Sequence, residues 1–175
     1  MRPAYSLLLG GLVLPLAATP AFARQSPVAM HLATTLFNAR PAPDSARVEE
    51  ILLKADNATA AGRMVEARRM YKSLIDEQHD ARQYAGKAIW RLATNHIYDG
   101  DARRGAELLD DLAVEASRFG DPTMELNATF EAAILWQKVK RNDLAMRNLE
   151  RVQYLLQSPA IKDDLKTRIQ KRIVE

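Results

Sequence analysis

The side chains from which this chain could build chemistry are few: three histidines, no cysteine and a scatter of adjacent acids. His31, His79 and His96 are far apart, and no two share the three- or four-residue spacing that sets imidazoles on one helical face for zinc. The neighbours Glu49-Glu50, Asp110-Asp111 and Asp163-Asp164 would point about 100° apart on a helix, so none forms a facing carboxylate dyad. A solvated face is the expectation for each pair. Asp99-Gly100-Asp101 begins like a calcium loop but lacks the later acidic ligands, and reads as a turn. There is no cysteine nucleophile, Gly-x-Ser-x-Gly elbow, phosphate-cradling glycine loop or His-Glu-x-x-His pair. These residues therefore predict no catalysis, no bound metal and no cofactor. His96, set on an apolar stripe, reads as a core residue.

Arg68-Arg69, Arg103-Arg104 and the cluster Lys138, Lys140, Arg141 are dispersed, and the net charge is only +3. Nucleic-acid binding needs a dense basic face, so none is expected. Asn57-Ala58-Thr59 and Asn127-Ala128-Thr129 match the glycosylation pattern, but both fall inside predicted helices and read as chance matches.

The start of the chain says where it works. Met1-Arg2, an apolar run from Leu7 to Ala18, and Ala21-Phe22-Ala23 are the three parts of a secretory signal peptide over residues 1–23. Cleavage is expected after Ala23. The run is shorter than the about 20 apolar residues of a membrane span, so no stable anchor is expected after cleavage. Export without cysteine leaves packing alone to hold the fold, which suits a bacterial periplasmic or secreted protein. Residues 24–43 hold Pro27, Pro41 and Pro43, show no sustained period, and read as a linker or flexible arm.

Residues 44–175 read as one all-α domain. Asp44 can cap a helix presenting Val48, Ile51, Leu52, Ala55 and Ala58 on one face. Gly62 turns the chain into a second helix with Met64, Ala67, Tyr71, Leu74 and Ile75. Asp80 and Gln83 have the spacing of a capping box for a third helix through Ile89, Leu92, Ala93 and His96. A turn at Gly100 precedes the stripe Ala106, Leu109, Leu112 and Ala116. Gly120-Asp121-Pro122 closes that helix and opens the next, with Pro at its first position. Leu126, Phe130, Ala133, Ile134 and Trp136 follow. Asn142 is a candidate cap for the helix of Ala145, Leu149, Val152 and Leu155. Ser158-Pro159 would cap and start a last helix carrying Ile161, Leu165 and Ile169.

Three of these helix pairs can be overlaid. Gly62, Ala67, Tyr71, Leu74 align with Gly100, Gly105, Leu109, Leu112 and with Lys140, Ala145, Leu149, Val152, at spacings of 38 and 40 residues. Periods of this size mark helical repeat arrays. The pattern resembles the tetratricopeptide repeat (TPR), in which antiparallel helix pairs stack into an α-solenoid. Ala67, Gly105 and Ala145 match the family's small residue in the second helix, and Ala55, Ala93 and Ala133 the one in the first. The period is longer than the family's 34, and Lys140 stands where the family has glycine. The resemblance implies a TPR-like α-solenoid of about three antiparallel helix pairs plus a C-terminal capping helix. An ordinary helical bundle is the competing architecture.

The resemblance also implies a function: a non-catalytic adaptor or scaffold that holds a protein or peptide partner on a concave face lined by the first helix of each pair. Leu52, Asp56 and Thr59 would line it from the first unit. The candidate partner-binding residues are Trp90, Thr94 and Tyr98 from the second unit and Asn127, Phe130 and Gln137 from the third, with Lys87 beside them. Packing of Trp90 and Phe130 against the neighbouring unit is the competing reading of those rings. A helical bundle holding a small ligand or lipid, an enzyme with an unrecognised site, and homo-oligomerisation through the last helix stay open.

Overall fold

Asp44 accepts a hydrogen bond from the Arg47 N–H at 2.7 Å and so starts the first helix of the structure. This computed structural model describes residues 43–174. The expected leader and all but the last residue of the expected arm lie outside them. Among the described residues all regular structure is α-helix: α1 (Ser45–Ala60), α2 (Met64–Asp80), α3 (Gly86–Tyr98), α4 (Ala102–Arg118), α5 (Pro122–Lys138), α6 (Asn142–Leu155) and α7 (Asp163–Val174).

The first five helices end alike. The residue one beyond the cap takes a left-handed backbone at Gly62, Arg82, Gly100, Gly120 and Lys140. The next N–H then reaches back five residues: Arg63 to the Ala58 carbonyl, Gln83 to Gln78, Asp101 to His96, Asp121 to Ala116 and Arg141 to Trp136. This is the Schellman closure, which satisfies carbonyls left over at a helix end. The left-handed positions fall 18–20 residues apart, so the chain reverses at nearly regular intervals. Glycine is absent from two of the five, which is why the sequence motif looks weaker than the geometry is.

Helix starts are less uniform. Asp101 and Asp121 accept the N–H of Arg104 and Met124, and Pro122 opens α5. Three expected caps are corrected. Asp80 is the last residue of α2 rather than a cap, because the chain needs Ala81 to Ala85 to close α2 and turn; α3 starts at Gly86. There the Ala85 N–H donates instead to the Glu115 carboxylate of α4, at 2.8 Å. Asn142 already lies inside α6, behind Arg141. Ser158-Pro159 sits in a turn before α7, with the Ser158 hydroxyl accepting the Ala160 N–H at 3.3 Å.

Each helix from α1 to α5 packs on the next, and α1 also touches α3. Ala55, Ala67, Ala93 and Ala133 are buried at these contacts. At Gly105 any Cβ would meet Ile97 Cγ1 at 2.5 Å, so the closeness of α3 and α4 requires glycine there. One apolar cluster runs from α1 through α5 into the start of α6. A second joins Leu126 and Phe130 of α5, Val152 and Leu155 of α6, and Ile161, Leu165 and Ile169 at and within α7. Helix α5 contributes Ala128, Ala132, Leu135 and Trp136 to the first and Leu126 and Phe130 to the second. A helix buried on two faces is apolar around most of its circumference, as α5 is.

Candidate functional site

Helix α3 supplies one wall of a cleft. Lys87, Trp90 and Arg91 project from it at spacings of three and four, which set them on one face. Met124, Asn127 and Glu131 project in the same way from α5, and Arg168, Ile169 and Arg172 from α7. The cleft is open to solvent and has a volume of about 480 Å³. A second cleft of about 430 Å³ adjoins it, sharing Lys87 and Met124. Its other walls are Pro43, Ser45, Val48 and Glu49 at the start of α1, Gln78 near the end of α2, Gln83 and Tyr84 in the following turn, Gly86, and Asp121.

Most charges around the first cleft are paired. Lys87 binds Glu49 and Arg91 binds Asp56, two rungs from α3 to α1. Arg172 binds Glu131 at 2.6 Å, and its guanidinium lies 4.6 Å above the Phe130 ring. Arg168 has no ion-pair partner among the described residues. Among those residues the Trp90 indole N–H likewise makes no hydrogen bond. Asp56 also accepts the Tyr71 hydroxyl at 2.6 Å; burial of the phenol and that bond push the Tyr71 pKa up to about 12.

The second cleft holds two buried polar atoms without partners, Gln78 Oε1 and the Tyr84 hydroxyl. The Gln78 amide nitrogen donates to the Tyr84 carbonyl at 3.1 Å, which orients the side chain and leaves its oxygen free. Gln78 is only 8% exposed. The Tyr84 ring folds over Gly86 and stacks on Phe119 at 5.3 Å. Burial, then the charges of Asp121 and Glu115, push its phenol pKa up.

The six expected partner-binding residues divide. Trp90 and Asn127 line the first cleft together. The Asn127 amide nitrogen donates to the Thr123 carbonyl and the Thr94 hydroxyl to the Trp90 carbonyl, both inside their own helices. Thr94, Tyr98 and Gln137 line neither cleft. Tyr98 stands 71% exposed at the end of α3, and Gln137 is exposed at the end of α5. Phe130 is corrected: it is 2% exposed and belongs to the core, because α7 lies over it with Leu165, Ile169 and Arg172. Leu52 is also core, while Asp56 and Thr59 serve polar links between helices. Arg91 was missed although its spacing from Lys87 gives it away. The α7 residues were missed because periodicity does not say where a terminal helix comes to rest.

Two polar groups away from the clefts also differ from the expected pattern. Asp110 is half-buried rather than part of a solvated face: it accepts the Trp136 indole N–H at 2.8 Å and the Asn148 amide at 2.7 Å, joining α4 to α5 and α6. His96 is buried as expected of a core residue. Neither ring nitrogen makes a hydrogen bond; Nδ1 lies 3.4 Å from an Asp101 oxygen without the geometry of one. Burial, and then the nearby Arg68, lower its pKa, with Asp101 opposing. Beside it, Asn95 bonds Thr59 and Arg68, and Arg68 also binds Asp99.

Among the described residues no helix is long and apolar enough to cross a membrane, and no three metal-binding side chains converge. No protein-family model, curated protein or solved structure matches this chain.

Proposed function

We propose that the chain is an exported, non-catalytic binding module: a TPR-like array of three helix pairs, closed by α7, that holds a peptide or a peptide-like segment of a partner protein. The observation that carries this reading is the cleft between α3, α5 and α7, where Trp90 and Met124 offer apolar surface among cations. Aromatic side chains in such settings dominate binding energy at interfaces. The regular left-handed turns and the small residues at the helix contacts support the array. The groups most suited to catalysis have structural partners or surroundings instead: Asp110 bonds Trp136 and Asn148, Glu125 pairs with Arg151, and His96 is walled in. A small ligand is the second reading, favoured by the size of the cleft, which falls within the range of ligand pockets.

The test is selection of a displayed random-peptide library on the full chain. Enriched peptides should bind the wild type and lose about tenfold or more on Trp90→Ala, with helicity by circular dichroism retained. No enrichment, or enriched peptides indifferent to Trp90→Ala, would overturn the reading.

A further inference from the structure

We infer that the two joined clefts take an extended acidic peptide segment, its backbone engaged at Gln78 and its carboxylate at Arg168. This rests on the peptide-binding reading above and adds to it the chemistry of the ligand.

Three unmatched groups stand along one path. Gln78 Oε1 is a buried acceptor whose orientation is set by the bond its amide makes to Tyr84. A buried carbonyl without a donor carries a desolvation penalty until one arrives. A peptide N–H is such a donor. Trp90 has a free indole N–H in the adjoining cleft, suited to a peptide carbonyl. Arg168 is an exposed cation at the far wall and has no acid of its own among the described residues. Lys87 stands between the two clefts and Arg91 one turn further along α3. The Lys87–Glu49 bond is between largely exposed groups, where a pair contributes little, whereas Asp56 is half-buried and also holds the Tyr71 hydroxyl. An incoming carboxylate can therefore share Lys87 without breaking a strong contact. The arrangement asks for a peptide backbone, with an N–H for Gln78 Oε1 and a carbonyl for Trp90, on a negatively charged chain: a basic peptide would meet Arg168 unrelieved, and a purely apolar one would leave Arg168 without an acid.

The experiment uses the full chain and three pools of short fluorescent peptides. They share an apolar composition and differ only in carrying acidic, basic or uncharged polar residues. Fluorescence anisotropy should show binding of the acidic pool, weakened by raised salt. Arg168→Glu should reduce it about tenfold or more, and Gln78→Leu by several-fold. Arg168 is exposed, so that variant keeps the fold even if Gln78→Leu does not, and circular dichroism checks both. Equal binding of all three pools, lost on Trp90→Ala, would overturn the acidic preference while leaving the peptide reading intact. Binding of no pool would overturn both. Acidic binding untouched by Arg168→Glu and by a folded Gln78→Leu would place the site elsewhere. If citrate, a free multivalent anion, were bound while every peptide failed, the ligand would be a small anion and the inference would fall.

Discussion

Lys140 and Arg82 hold left-handed backbone angles, φ 62° and 55°, that glycine holds at the three other closures. A side chain there brings Cβ against the neighbouring carbonyl, at a cost of roughly 1–2 kcal/mol. Lys140 is exposed, and among the described residues its side chain makes no hydrogen bond or ion pair that a glycine would lose. Lys140→Gly should therefore raise stability by about 1 kcal/mol, read as a higher urea midpoint at unchanged slope. A lower midpoint would mean that the turn is relaxed. His96 gives a second residue-scale outcome. Its pKa is lowered in the fold from an ordinary 6.5, so the unfolded chain takes up the proton first as pH falls. The stability associated with neutral His96 is complete above the unfolded pKa and declines as pH drops through it toward the folded value. Urea titrations across this window should show the loss in the wild type and less of it in His96→Leu. Equal slopes in the two would mean that the ring charges without cost, despite Arg68 beside it.

At the scale of elements, α7 differs from the other six helices. It is seated by one stripe: Ile161, Leu165 and Ile169 pack against Leu126 and Phe130 of α5 and Val152 and Leu155 of α6. Arg172 adds its bond to Glu131 and its place over Phe130. Leu165→Asp would set a carboxylate among these apolar groups, at a cost of at least about 3 kcal/mol. Amide exchange should quicken in α7 first, with α1 to α4 little changed. Uniform quickening along the chain would show that α7 is part of a single cooperative unit with the rest. Because α7 also forms a wall of the first cleft, the same variant should weaken peptide capture.

For the whole molecule, periodicity and turn chemistry carried a great deal. The seven helices of the described residues, the apolar stripes that face inward, the small residues at close approaches and the aspartate caps at Asp44 and Asp121 all follow from local rules, since a helix face and a helix end are decided by neighbours a few residues away. Caps that depend on a distant partner did not follow: α3 begins where Glu115, thirty residues on, reaches the Ala85 N–H. The same limit governs the candidate site. Spacing on α3 and α5 put Trp90 and Asn127 on one expected face, and in the structure both line the first cleft. Periodicity also marked Phe130 as an apolar residue on that side, but its exposure depended on whether anything lay across it. Only the tertiary structure decided that α7 does, burying Phe130 and bringing Arg168 and Arg172 beside Trp90. The sequence by itself determined the helices and their inward faces, because hydrogen bonds and side-chain spacing within a helix are local. What surface is left open was decided by the burial of one terminal stripe against α5, some thirty to forty positions earlier in the chain, as well as against α6, and no local pattern encodes such a contact.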